Sequence, residues 1–120
     1  MQHAENVDLA RKWFDAFNIH DTDMLLGLYH DDACHYSPKL KHRQPETNGL
    51  IHGKDKLRNW WQDAFDRLPE LHYSIIHILA DEEFVFMEYL RIVPGEADMN
   101  VMEVLEINGG LIKASRVYHS

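Results

Sequence analysis

The side chain best placed for acid–base chemistry is Glu103. In the stretch 98–107, Met99, Val101, Leu105 and Ile107 share its alternation, so a lone carboxyl sits on an otherwise apolar strand face. A carboxylate buried there is costly as a charge. Its proton affinity should rise, which suits a general acid or base near neutral pH. A structural reading stands beside this one. Glu103 could pair with Arg91 or a histidine and brace the sheet, or face a partner subunit. Tyr89 falls on the face of Val85 and Met87, where its hydroxyl would donate to a ligand carbonyl or pack at a rim.

Other chemistries find less support. Nine histidines invite a metal, yet there is no His-Glu-x-x-His and no cysteine pair. The densest cluster is His30, Asp31, Asp32 and His35, whose aspartates read as a helix terminus and turn, so no metal is assigned. Ser37 has no evident base and orienting acid, and no phosphate-cradling glycine loop is present, so no cofactor is expected.

The elements that must hold these residues are legible from periodicity. Val7, Ala10, Trp13, Phe14 and Phe17 fall at helical spacing, with an end near Ile19-His20. Asp21 is the N-cap of a short helix with Met24, Leu25, Leu28 and Tyr29 on one side, broken by Asp31-Asp32. Residues 33–37 are extended, 38–49 are loop, and Leu50-Ile51-His52 is a brief strand. Gly53 precedes a third helix with Leu57, Trp60, Trp61, Ala64, Phe65 and Leu68 on one face, stopped by Pro69. Strands are expected over 72–80, 84–93, 98–107 and 111–119, and Asn108-Gly109-Gly110 is a hairpin signal.

Helices followed by an antiparallel meander give an α+β fold, and 120 residues fit a single domain. Both faces of the strands 84–93 and 98–107 are largely apolar. Helices can cover one face, and the economical cover for the other is a second copy of the chain, so a homodimer through the sheet is expected. The net charge of −8 argues against nucleic acid and anionic membrane as partners. No signal peptide or apolar span is visible, and the single Cys34 fits a reducing compartment, so the expected location is cytoplasmic. Charge is uneven: Lys39, Lys41, Arg43, Lys54, Lys56 and Arg58 are half of the twelve Lys and Arg. They read as a solvated loop and helix start, or as a basic rim for an anionic small molecule.

Leu28-Tyr29-His30-Asp31-Asp32-Ala33, Ser37-Pro38, Ile51-His52-Gly53, Leu68-Pro69 and Asn108-Gly109-Gly110-Leu111-Ile112 leading to Tyr118 stand in a telling order. Together they resemble the SnoaL-like branch of the nuclear transport factor 2-like, or ketosteroid isomerase-like, superfamily, over nearly the whole chain. The resemblance implies a cone: a curved antiparallel sheet wrapped around three N-terminal helices, with a small apolar molecule in its lumen. It implies proton-transfer chemistry of isomerase, cyclase or dehydratase type, or a non-catalytic binding or dimerisation module; whether the chain is an enzyme stays open.

Ketosteroid isomerases place a Tyr on the first helix, an Asp before the Pro of the first strand and an Asp on the penultimate strand. The first two roles fall near Trp13 and on Ser37, so steroid isomerisation is not expected. The third falls on Met102 or Glu103 according to the length of the last hairpin turn, and the apolar alternation selects Glu103. By the same resemblance, His35, Ser37 and His119 point into the lumen. Arg91 and Trp61 complete the expected ligand contacts, with Trp60 and Trp61 also serving as core.

Overall fold

The computed structural model describes residues 2–119. Its elements run α1 (Gln2–Asn18), α2 (Thr22–Leu26), β1 (Tyr29–Tyr36), α3 (Pro38–Arg43), a 3-10 turn (Pro45–Thr47), β2 (Leu50–His52), α4 (Lys54–Arg67), β3 (His72–Ala80), β4 (Phe84–Ile92), β5 (Met99–Asn108) and β6 (Leu111–His119). The six strands form one curved sheet in the order β2-β1-β6-β5-β4-β3. Helices pack on its inner face, giving the α+β cone.

The inner face is set by strict alternation. Val85, Met87 and Tyr89 on β4 are buried, as are Val101, Glu103 and Leu105 on β5. They meet Ala10, Trp13, Phe14 and Phe17 of α1 and Leu57, Trp61 and Phe65 of α4 in one core. Burial of these large side chains is the main drive to fold, at about 1.5–3 kcal/mol for each of the larger ones. The last hairpin fixes the register of Glu103. Asn108 pairs with Leu111, so Gly109 and Gly110 alone make the turn, at φ of +61° and +80°. Two successive residues in the left-handed region favour glycine at both, and a one-residue shift of pairing between Glu106 and Ile107, just beyond this turn, then sets Glu103 opposite Val117.

Four expectations need correction. The sheet is mixed rather than wholly antiparallel, because β1 runs parallel to β6. These two strands are far apart in sequence, and the long connection between them, through α3, β2, α4 and β3 to β5, permits the parallel sense. A fourth helix, α3, occupies part of the stretch expected to be loop. It is too short for a visible period, but Ser37 caps it by accepting from the Lys39 amide, and Pro38 opens it with a pre-set φ. Asp31 and Asp32 do not break a helix; they lie inside β1, where pairing with β6 shifts between Tyr29 and Cys34. Met24 is exposed, while Leu25 and Leu26 carry the packing of α2. Asp21 does cap α2, accepting from the Met24 amide at 3.0 Å.

No helix among the described residues is long and apolar enough to cross a membrane.

Candidate active site

Between the inner face of the sheet and helices α1, α3 and α4 lies a cavity of about 510 Å³. Its inner end is aromatic. Trp13 and Phe17 come from α1, Trp61 from α4, Tyr73 from β3 and Tyr89 from β4. Tyr73 stacks on Phe17 at 4.0 Å and on Tyr89 at 4.1 Å between ring centroids. Trp61 lies 5.2 Å from the ring of His35.

Into this apolar wall the strands insert a few polar groups. Glu103 is 1% exposed. Tyr89 faces Val101 on the neighbouring strand, one diagonal step from Glu103, and its hydroxyl donates to Glu103 Oε1 at 2.6 Å. Glu103 Oε2 has no hydrogen-bond partner among the described residues. Burial pushes the Glu103 carboxyl up to about 8, only partly opposed by the Tyr89 hydrogen bond. The group is therefore protonated at neutral pH. Tyr89, Tyr29 and Tyr73 are all pushed upward, first by burial and then by the nearby Glu103, so the phenols stay protonated as donors.

A second polar line ends at His35. Trp13 Nε1 donates to the Tyr29 hydroxyl at 3.0 Å, and Tyr29 donates to Ser115 Oγ at 3.0 Å. Ser115 Oγ lies 2.7 Å from His35 Nδ1. The indole can only donate and Tyr29 gives its proton to Ser115, which leaves the Ser115 hydroxyl proton to complete the line on Nδ1. That order assigns the His35 proton to Nε2. Burial lowers the His35 imidazole to about 4, so near neutral pH it is an uncharged donor rather than a base.

The mouth has a different character. Arg91 is 8% exposed and donates to Glu96 at 2.9 Å; it does not reach Glu103 as its ion-pair partner. Lys39, Arg43 and Arg67 also border the opening. Ser37 lines the cavity, with its side-chain oxygen engaged as the α3 cap. His119, half-buried, lines it from β6 beside Val101. Cys34 points to the other face of β1 from His35 and does not border the cavity.

All seven side chains singled out from sequence, Glu103, His35, Ser37, Tyr89, Arg91, His119 and Trp61, therefore border one cavity. His30, Asp31 and Asp32 do not: His30 binds the Asn108 carbonyl and Asp31 faces Lys54. Among the described residues no three His, Cys, Asp or Glu side chains gather into a metal-binding set. Sequence reasoning misses Tyr29, Tyr73 and Ser115 as parts of the polar network. Tyr73 alternates with Ser74 at the start of a strand that is otherwise Ile- and Leu-rich, a signal too short to single it out. Tyr29 sits at helical spacing from Leu25, which hides the strand that aims it inward.

A family model for the SnoaL-like domain matches residues 10–115. The chain belongs to the SnoaL-like domain family. Solved structures agree with the family's fold. A SnoaL-like protein of unknown function from Burkholderia thailandensis is similar at a TM-score of 0.88 and 26% identity, covering 98% of this chain and 95% of its own. A proposed ketosteroid isomerase from Kribbella flavida is similar at 0.81 and 19% identity, over 98% of this chain and 79% of its own. A proposed polyketide cyclase from Sinorhizobium meliloti is similar at 0.76 and 18% identity, over 92% of this chain and 94% of its own. Among curated proteins none matches. For this SnoaL-like domain the last two likenesses speak to fold alone, and chemistry has to come from the cavity.

Proposed function

We propose that this SnoaL-like domain binds a small, largely apolar carbonyl or hydroxyl compound in its cone and transfers protons on it without a cofactor. The observation that carries this reading is Glu103: a neutral carboxyl at the inner end of an open cavity, with Oε1 held by Tyr89 and Oε2 unpartnered among the described residues. A carboxyl poised near the ambient pH is suited to both halves of acid–base catalysis. In a dehydration, Glu103 gives its proton to the departing hydroxyl, which leaves as water. The carboxylate so formed takes the proton from the adjacent carbon, whose C–H electron pair becomes the new double bond. The acid form is thereby restored. His35 Nε2–H is a second donor for a ligand oxygen, with His119 and Tyr89 orienting the substrate and Ser37, Arg91 and Trp61 bordering it.

The non-catalytic alternative expects a lumen filled by Trp, Phe and Met side chains and a Glu103 that is paired or outward, with an ordinary proton affinity. An open space of about 510 Å³ and an upward-shifted carboxyl count against it.

Exchange of α-protons tests this without knowing the natural substrate. The protein should speed deuterium uptake by 2-tetralone in D2O, followed by NMR. Glu103→Gln should lower that rate by about 100-fold or more while leaving the circular dichroism spectrum intact. An unchanged rate in the variant would remove Glu103 from the mechanism.

The same reading includes a homodimer through the outer sheet face. Leu79 (69% exposed), Phe86, Met102 and Tyr118 (49% exposed) lie on that face across β3 to β6. The polar groups among them already have partners within the chain, His77 with Glu88 and Arg116 with Glu106. Such a face suits a second copy better than a charged partner. Light scattering should give twice the 14.1 kDa chain mass, and Phe86→Lys should halve it. A monomer at micromolar concentration would refute the dimer.

A further inference from the structure

The mouth of the cavity departs from the charge of the whole molecule. The chain carries a formal −8, yet Lys39, Arg43, Arg67 and Arg91 all border this opening. Among the described residues that line the cavity, Glu96 is the only acidic one besides the neutral Glu103. Asp63, outside the lining, takes Arg67 at 2.8 Å and Arg43 at 4.0 Å. Glu96 takes Arg91. Lys39, on the helix that overhangs the opening, forms no direct ion pair among the described residues, and Glu96 acts on it only from a distance.

These cations act on one another across the mouth. The Lys39 ammonium is lowered, first by partial burial and then by the charge of Arg91, with Arg67 adding to it and Glu96 opposing. Like charges gathered at the entrance of a low-dielectric cleft cost free energy that an anion would offset. Sequence and topology explain how they meet. Arg91 follows Tyr89 on the same face of β4, Lys39 comes from α3, and Arg67 ends α4.

The cavity is therefore polarised along its length. The inner end offers neutral donors, Glu103, Tyr89 and His35, between aromatic walls. The outer end offers positive charge. Arg91 pairs with Met99, four residues along β5 from Glu103, a separation of about 13 Å along the strand.

We infer that the ligand of this pocket is an amphiphilic organic acid, with its anionic head held at the mouth by Lys39 and Arg91 and its apolar body carrying the reacting oxygen inward to Glu103. This deepens the function proposed above and rests on it. The cationic mouth would concentrate such acids against the repulsion of the acidic surface elsewhere, and would fix which end of the molecule enters first.

A matched pair of compounds tests it. 6-Acetyl-2-naphthoate carries a carboxylate at one end of a two-ring body and a ketone at the other; its methyl ester lacks only the charge. By titration calorimetry at pH 7 and low salt, the acid should bind about tenfold or more tightly than the ester, as a charge-assisted contact implies. Lys39→Gln should remove most of that preference by weakening the acid far more than the ester. Arg67→Gln should reduce it less, and added salt should narrow it. Arg91→Gln is a poorer probe, since that side chain is buried and its loss threatens the fold. The inference is overturned if the ester binds as tightly as the acid, or if the preference survives in both Lys39→Gln and Arg67→Gln. In that case ester binding and 2-tetralone exchange would leave the pocket itself standing. Binding of neither compound also overturns the inference, and absent exchange would then take the pocket reading with it.

Discussion

Glu103 at the inner end of the cavity and Glu96 at its mouth have the same side chain and opposite proton affinities. Glu103 is raised to about 8 because burial penalises its charge and only a phenol compensates. Glu96 is lowered, chiefly because Arg91 donates a hydrogen bond to its charged form. Both border the same space, one on β5 and one in the turn that follows β4. What separates them is access to water and to a cation. The inner end stores a proton on an uncharged carboxyl where a substrate can be enclosed, and the mouth keeps charges where solvent and salt can screen them.

This contrast can be broken in several ways. The largest effect should come from packing at the inner end. Trp61→Ala removes a buried aromatic wall and should cost about 3–5 kcal/mol in urea denaturation. Arg67→Gln at the mouth removes a partly exposed ion pair and should cost less than about 1 kcal/mol. Equal losses at the two places would mean that the mouth contributes as much to stability as the core.

Stability should also depend on pH through the inner end. Glu103 has a folded-state pKa above its ordinary value, so its contribution is complete below about 4.5 and is lost as pH rises to about 8. His35 is the reverse: held at about 4 against an ordinary 6.5, it favours the fold above 6.5 and is lost as pH falls through 4. Between about 4.5 and 6.5 the two slopes oppose each other. From about 6.5 to 8 the Glu103 slope acts alone and should lower stability by about 2 kcal/mol. Glu103→Gln should flatten that alkaline fall in pH-dependent denaturation. A fall of the same size in the variant would place the titrating group elsewhere.

A smaller effect concerns the polar line behind His35. Ser115→Ala should cost about 1 kcal/mol and free the imidazole to exchange tautomers. Nitrogen-15 NMR of His35 should report Nε2–H alone in the parent chain and a mixture in the variant. A single tautomer in both would detach Ser115 from that role. The mildest test sharpens the contrast without altering packing: carbon-13 carboxyl titration should find Glu96 below and Glu103 above the ordinary glutamate midpoint. A Glu103 midpoint near 4.5 would erase the difference between the two ends.

Much of the fold is legible in the residues because burial writes itself as period. Phe14, Phe17 and Trp13 announce α1, the alternation of β4 and β5 announces one inner face, and two glycines after Asn108 announce a tight turn. Glu103 stands out for the same reason: a carboxyl in an apolar alternation is a visible exception. Elements shorter than their own period leave no such mark. α3 spans six residues, and Asp31-Asp32 reads as a break although the strand runs through it.

The sequence by itself thus determined which residues of α1, α4, β4 and β5 face inward, since alternation and helical spacing are local and each position carries its own evidence. Only the tertiary structure decided which of them meet. That β1 lies beside β6 in parallel, that Tyr89 rather than Arg91 holds Glu103, and that Lys39, Arg67 and Arg91 share one opening all depend on contacts between distant segments. Such contacts are fixed by how layers close over a core, and no local pattern of residue types encodes that closure.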